Sequence, residues 1–80
     1  MSRLGRGDIR MLKGQIVEFR IVDSGEDIRA KIVSSGADAT FNKVSFGHAY
    51  KRIRVKIVTS GEDVRLREER CGADFEAIIR

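Results

Sequence analysis

Eighty residues make one small domain, and a domain of that size buries a modest share of its surface, so a core shared with a second chain would add stability. The net charge of +4 and a pI of about 9.7 permit a polyanionic partner, although a basic surface also serves solubility alone. The single cysteine excludes an internal disulfide framework, and no apolar run reaches the ~18 residues of a membrane-spanning helix.

Residues 1–14 read as a basic flexible arm: Arg3, Arg6, Arg10 and Lys13 stand among three glycines, outside the pattern that follows. The segment has no apolar stretch of signal-peptide length, so the expected location is cytoplasmic. Its Arg6-Gly7-Asp8 spells an integrin-binding tripeptide, which in an intracellular chain is a chance match.

Residues 15–80 form one all-β repeat domain. Apolar and charged residues alternate through Val17, Phe19 and Ile21, then Ile28, Ala30 and Ile32, then Ala39 and Phe41. The alternation resumes at Ile53, Val55 and Ile57, then Val64 and Leu66, then Phe75, Ala77 and Ile79. A period of two predicts strands with one buried face. Six are expected, near 15–23, 27–34, 38–45, 50–59, 63–69 and 74–80. Between them, Ser24-Gly25-Glu26-Asp27 returns eleven residues later as Ser35-Gly36-Ala37-Asp38, and again as Ser60-Gly61-Glu62-Asp63 and Cys71-Gly72-Ala73-Asp74. Glycine suits a left-handed turn position, because it has no Cβ to clash there. The aspartate is expected to fold its carboxylate back onto the amides of its own turn.

Residues 20–41 and 56–77 match at ten of twenty-two positions, so the chain carries two copies of a three-strand unit. Their join breaks the rule: Phe46 replaces the turn serine, Ala49 replaces the aspartate, and three extra residues enter before Lys56. A longer loop or a bulge is expected there. The fold predicted is a six-stranded antiparallel meander curling into a small barrel or open sandwich. The alternative is a short β-solenoid with parallel coils. The unit Val33-Ser34-Ser35-Gly36-Ala37-Asp38, echoed by Cys71-Gly72-Ala73-Asp74, resembles small bacterial proteins of unknown function built from tandem strand-turn repeats. That resemblance implies no activity.

Three candidate surfaces follow. Arg29, Lys31, Arg52, Arg54, Lys56, Arg65 and Arg67 are expected on one sheet face, with Thr40 and Asn42 of the third strand between them. Such a stripe suits DNA, RNA or another polyanion, because each neutralised phosphate releases counterions; the plainer reading is a solvated face balanced by acids. Phe46, His48 and Tyr50 in the irregular join are the aromatic and polar contacts a nucleic acid would meet. Val22, Val33, Val44 and Val58 occupy one repeat position opposite the core and are expected, with Ile16 and Ile78, to form a small second core or a self-association surface. The acidic turns lack the period and second glycine of calcium-binding repeats. One His and one Cys make no catalytic or metal cluster. No cofactor and no enzymatic activity are expected; the function expected is a self-associating structural or interaction module, with polyanion binding as the alternative.

Overall fold

The computed structural model describes residues 4–80; Arg3 of the expected arm lies outside them. A short helix, α1 (Arg6–Arg10), precedes six strands: β1 (Ile16–Ile21), β2 (Ile28–Ile32), β3 (Ala39–Val44), β4 (Lys51–Ile57), β5 (Val64–Glu68) and β6 (Phe75–Ile79). The number and placement of the strands match the alternation in the sequence. Their direction does not. Every ladder is parallel, and the sheet closes as a barrel in the order β1-β4-β2-β5-β3-β6. The antiparallel meander is thereby overturned, and so are the open sandwich and the stacked solenoid.

The register shows how parallel strands are joined by six residues, where a dozen or more are usual. Ile21 at the end of β1 lies level with Val55 of β4, and Val55 lies level with Ile28 at the start of β2. The chain leaves one side of β4 and re-enters on the other without retracing a strand. Strongly tilted strands make this possible, because tilt and register stagger are linked in a closed barrel. The same step recurs at Ile32, Leu66 and Ala39, at Ile57, Ala30 and Val64, and at Glu68, Phe41 and Phe75. Crossing residues such as Asp23, Ser24 and Gly25 are exposed, so the chain passes over the outside of the intervening strand. A left-handed glycine serves this crossover as it would serve a hairpin: Gly25, Gly36, Gly61 and Gly72 have φ of 73°, 70°, 73° and 71°.

The two copies interleave. β1, β2 and β3 take alternate places around the barrel, and β4, β5 and β6 fill the gaps. β4 takes its place two strands away from β3, beyond β6 and β1, yet the join has six residues like the other connections; the extra residues are taken up in β3 and β4, which run to six and seven residues, and the longer loop expected from the sequence is not found. The loop lies against β1: the Tyr50 amide donates to the Ile16 carbonyl at 2.6 Å, and a Cβ on Gly47 would stand 3.3 Å from the Ile16 side chain. On β6, which the loop must also cross, the outward Ile78 is only 3% exposed.

Inside, the side chains form three layers. Val17, Ile28, Ala39, Ile53, Val64 and Phe75 lie near the strand starts, and Phe19, Ala30, Phe41, Val55, Leu66 and Ala77 lie in the middle; all are buried. Phe19, Phe41 and Phe75 pack ring to ring with centroids 5.7–6.3 Å apart. Burying each large apolar side chain contributes about 1.5–3 kcal/mol. The third layer, Ile21, Ile32, Lys43, Ile57, Glu68 and Ile79, lies at the strand ends and is exposed or half-exposed.

The expected arm is, over residues 4–14, part of the domain. Ile9 and Leu12 are 1% and 4% exposed and belong to the main core. The Leu4 amide donates to the Asp27 carbonyl at 2.8 Å and the Gly14 amide to the Asp74 carbonyl at 2.7 Å. Both acceptors directly precede strands, so this segment caps the mouth where the strands begin. Sequence reading saw its charges and missed two apolar residues spaced to plug a barrel.

Candidate functional site: a basic strip and an open mouth

The repeated aspartates hold the strand starts. Four outward amides, those of Arg29, Thr40, Arg54 and Arg65, lie beside a point where the neighbouring chain turns away to cross. The carboxylates fill that gap. Asp27 accepts from the Arg54 amide at 2.9 Å, Asp38 from Arg65 at 2.9 Å, Asp63 from Arg29 at 2.9 Å and Asp74 from Thr40 at 3.0 Å. In return each aspartate amide donates to the same residue's carbonyl, at 2.8–3.1 Å. The expected bond to the aspartate's own turn is therefore replaced by one to a strand far away in sequence.

β4, β2 and β5 are direct neighbours, so the seven cations predicted from the sequence do share one strip. Arg29 lies level with Lys56, and Lys31 with Arg65. β3 does not come between them as expected: it flanks β5, with Thr40 level with Arg67. β1 adds Arg20, level with Arg54. Most of the arginines are engaged. Arg29 meets Glu26 at 2.9 Å, Arg65 meets Glu62 at 2.9 Å, Arg54 meets Asp27 at 3.0 Å and Arg67 meets Glu69 at 2.6 Å. Arg52 and Arg80 share Glu18, at 3.6 and 3.2 Å. Hydrogen bonding from Arg29, Arg54 and Arg65 holds Glu26, Asp27 and Glu62 respectively below the usual carboxylate range. Lys56 and Lys31 add a weaker pull on Glu26 and Glu62. The strip is thus a lattice of alternating charges rather than a bare cationic surface.

The join places Tyr50 at the start of β4, beside the strip, 68% exposed; Phe46 is 85% exposed in the same loop, and His48 is exposed as well. The four valines do not form one row. Val22, Val33 and Val58 follow β1, β2 and β4, while Val44 ends β3, so they are dispersed around the barrel and half-buried. Three of them extend ladders, donating to Val55, Leu66 and Ala30 at 2.9–3.0 Å. Cys71 is exposed in the last crossover, far along the chain from His48. Among the described residues, no three His, Cys, Asp or Glu side chains converge.

The continuous apolar surface lies elsewhere. At the mouth where the strands end, Ile21, Ile32 and Ile57 are 42%, 47% and 48% exposed. They surround a hollow of about 250 Å³ whose floor is Phe19, Phe41, Val55 and Leu66. Around the rim the order is Ile21, Ile57, Ile32, Glu68, Lys43, Ile79. Sequence reading assigned these isoleucines to the core because they share its parity. Parity gives the face of a strand, not the height at which the core stops being covered. The Ile-Val pair ending three of the strands was the available signal.

No known protein family and no curated protein matches the chain. Among the described residues, no helix is long and apolar enough to cross a membrane.

Proposed function

We propose that this protein is a non-enzymatic interaction module whose binding surface is the open mouth. The observation that carries this is the contrast between the two ends of one barrel. The mouth at the strand starts is filled by Ile9 and Leu12, whereas the other presents three large aliphatic side chains to water around an apolar floor. Exposed apolar surface grouped around a concavity marks a place where another surface binds. Binding of 1-anilinonaphthalene-8-sulfonate in dilute solution tests the assignment. The folded protein should raise the dye's emission, and Ile32→Glu with Ile57→Glu should abolish the rise while leaving the circular dichroism intact. Undiminished emission from the double variant would remove the mouth as the site.

A second reading has support from the adjacency of β4, β2 and β5: a polyanion lies along the strip, contacting Lys31, Lys56 and the outer edges of the arginines. Fluorescence anisotropy with short DNA and RNA at ~50 mM salt, where phosphate contacts are strongest, tests it. The reading expects binding that weakens steeply with salt and is lost in Lys31→Glu with Lys56→Glu. Carboxylates already bound to the strip oppose it, so affinity is expected to be low.

A further inference from the structure

We infer that the occupant of the open mouth is the open mouth of a second copy of this chain, docked end to end about a two-fold axis. The inference rests on the reading of the mouth as the binding surface and names its partner. Three observations on the mouth lead to it. First, the hollow of about 250 Å³ is smaller than typical small-molecule sites of roughly 300–1,000 Å³. Its exposed surface lies instead on the rim, which suits a partner seated across it. Second, the rim holds one base and one acid, Lys43 and Glu68, on adjacent strands β3 and β5, and four isoleucines fill the remaining arc. No ion pair joins Lys43 to Glu68 within the described residues, so both charges are available to a partner. Third, the six rim residues carry no net charge although the whole chain carries +4, so mouth-to-mouth contact brings no excess of like charge together at the rim.

The order of the rim makes it self-complementary. A two-fold axis in the plane of the mouth, passing between β5 and β3 and out between β1 and β4, sets Lys43 opposite Glu68 of the other copy. It does so twice, because the contact is isologous. The same axis sets Ile32 opposite Ile79, and Ile21 opposite Ile57. No charge faces an isoleucine, and no charge faces its own sign. The Phe19 and Phe41 floors then continue one core through both barrels.

Sedimentation equilibrium or light scattering across a concentration series, with circular dichroism on every variant, tests this. The wild-type chain of 9.0 kDa should approach twice that mass as concentration rises into the high micromolar range. Lys43→Glu and Glu68→Lys each place like charges opposite one another twice, and each should weaken association by roughly tenfold or more. Mixing these two variants restores opposite charges at both contacts, so the mixture should form a heterodimer that neither variant forms alone. The double variant carrying both changes should dimerise again. Single variants that associate as tightly as the wild type, or a mixture that stays monomeric, overturn the proposal. A wild-type chain that remains monomeric but binds the dye, with binding lost in Ile32→Glu with Ile57→Glu, overturns the second copy as occupant and leaves the mouth as binding surface. A monomer that fails to bind the dye overturns both.

Discussion

Asp74 and Thr40 show what a single residue contributes to this barrel. The Asp74 carboxylate accepts from the Thr40 amide at 3.0 Å, and the Thr40 hydroxyl accepts from the Asp74 amide at 3.0 Å. This exchange replaces a ladder bond that the crossing chain cannot make, and it is partly buried. Leaving such an amide unpaired costs about 1–3 kcal/mol. Asp74→Ala is therefore expected to lower unfolding free energy by about 1–2 kcal/mol, while Asp74→Asn, which keeps an acceptor oxygen and has no ion pair to lose among the described residues, should retain most of it. Equal losses in urea denaturation would show that charge rather than the hydrogen bond matters here. The left-handed glycines were legible in the sequence because only the local backbone decides them. The destination of the aspartate was not, because its partner amide is 34 residues away and belongs to a strand whose position depends on the whole topology.

At the scale of elements, alternation located all six strands, since burying one face leaves a period of two whichever way the neighbours run. Direction left no local trace. A glycine-centred connection that places Ile21 and Ile28 on the same inner face satisfies a hairpin and this crossover equally. The cap was missed for a related reason: a five-residue helix is too short to display a period. Its energetic weight is nonetheless large. Ile9 is 1% exposed within the main core, and truncating a buried isoleucine costs about 2–5 kcal/mol. Ile9→Ala should accordingly lower the thermal midpoint by many degrees, whereas Arg10→Ala, on the exposed side of the same helix, should leave it nearly unchanged. Similar midpoints for the two would mean that the cap is dispensable for closing the barrel.

For the whole molecule, acid should weaken the fold through the charge lattice on its basic strip. Glu26, Asp27 and Glu62 titrate lower in the folded state than in the unfolded chain, because Arg29, Arg54 and Arg65 hydrogen-bond their ionised forms. A depressed carboxylate contributes stability that is complete above its unfolded pKa of about 4 and is lost as pH falls through the lower folded value. The urea midpoint should therefore stay level from neutral pH to about pH 5 and fall below about pH 4, with a shallower fall in Arg54→Gln. A midpoint insensitive to acid would leave these pairs without a role in stability. Interleaving has a different consequence. β1, β2 and β3 are never hydrogen-bonded to one another, nor are β4, β5 and β6. Cleavage between Ser45 and Tyr50 would release two fragments without a single ladder of their own, each the other's only template. In that sense the chain is a covalent heterodimer of its two repeats, each half supplying every strand neighbour of the other, and the duplication legible in its sequence shows in the fold as a pairing rather than an addition.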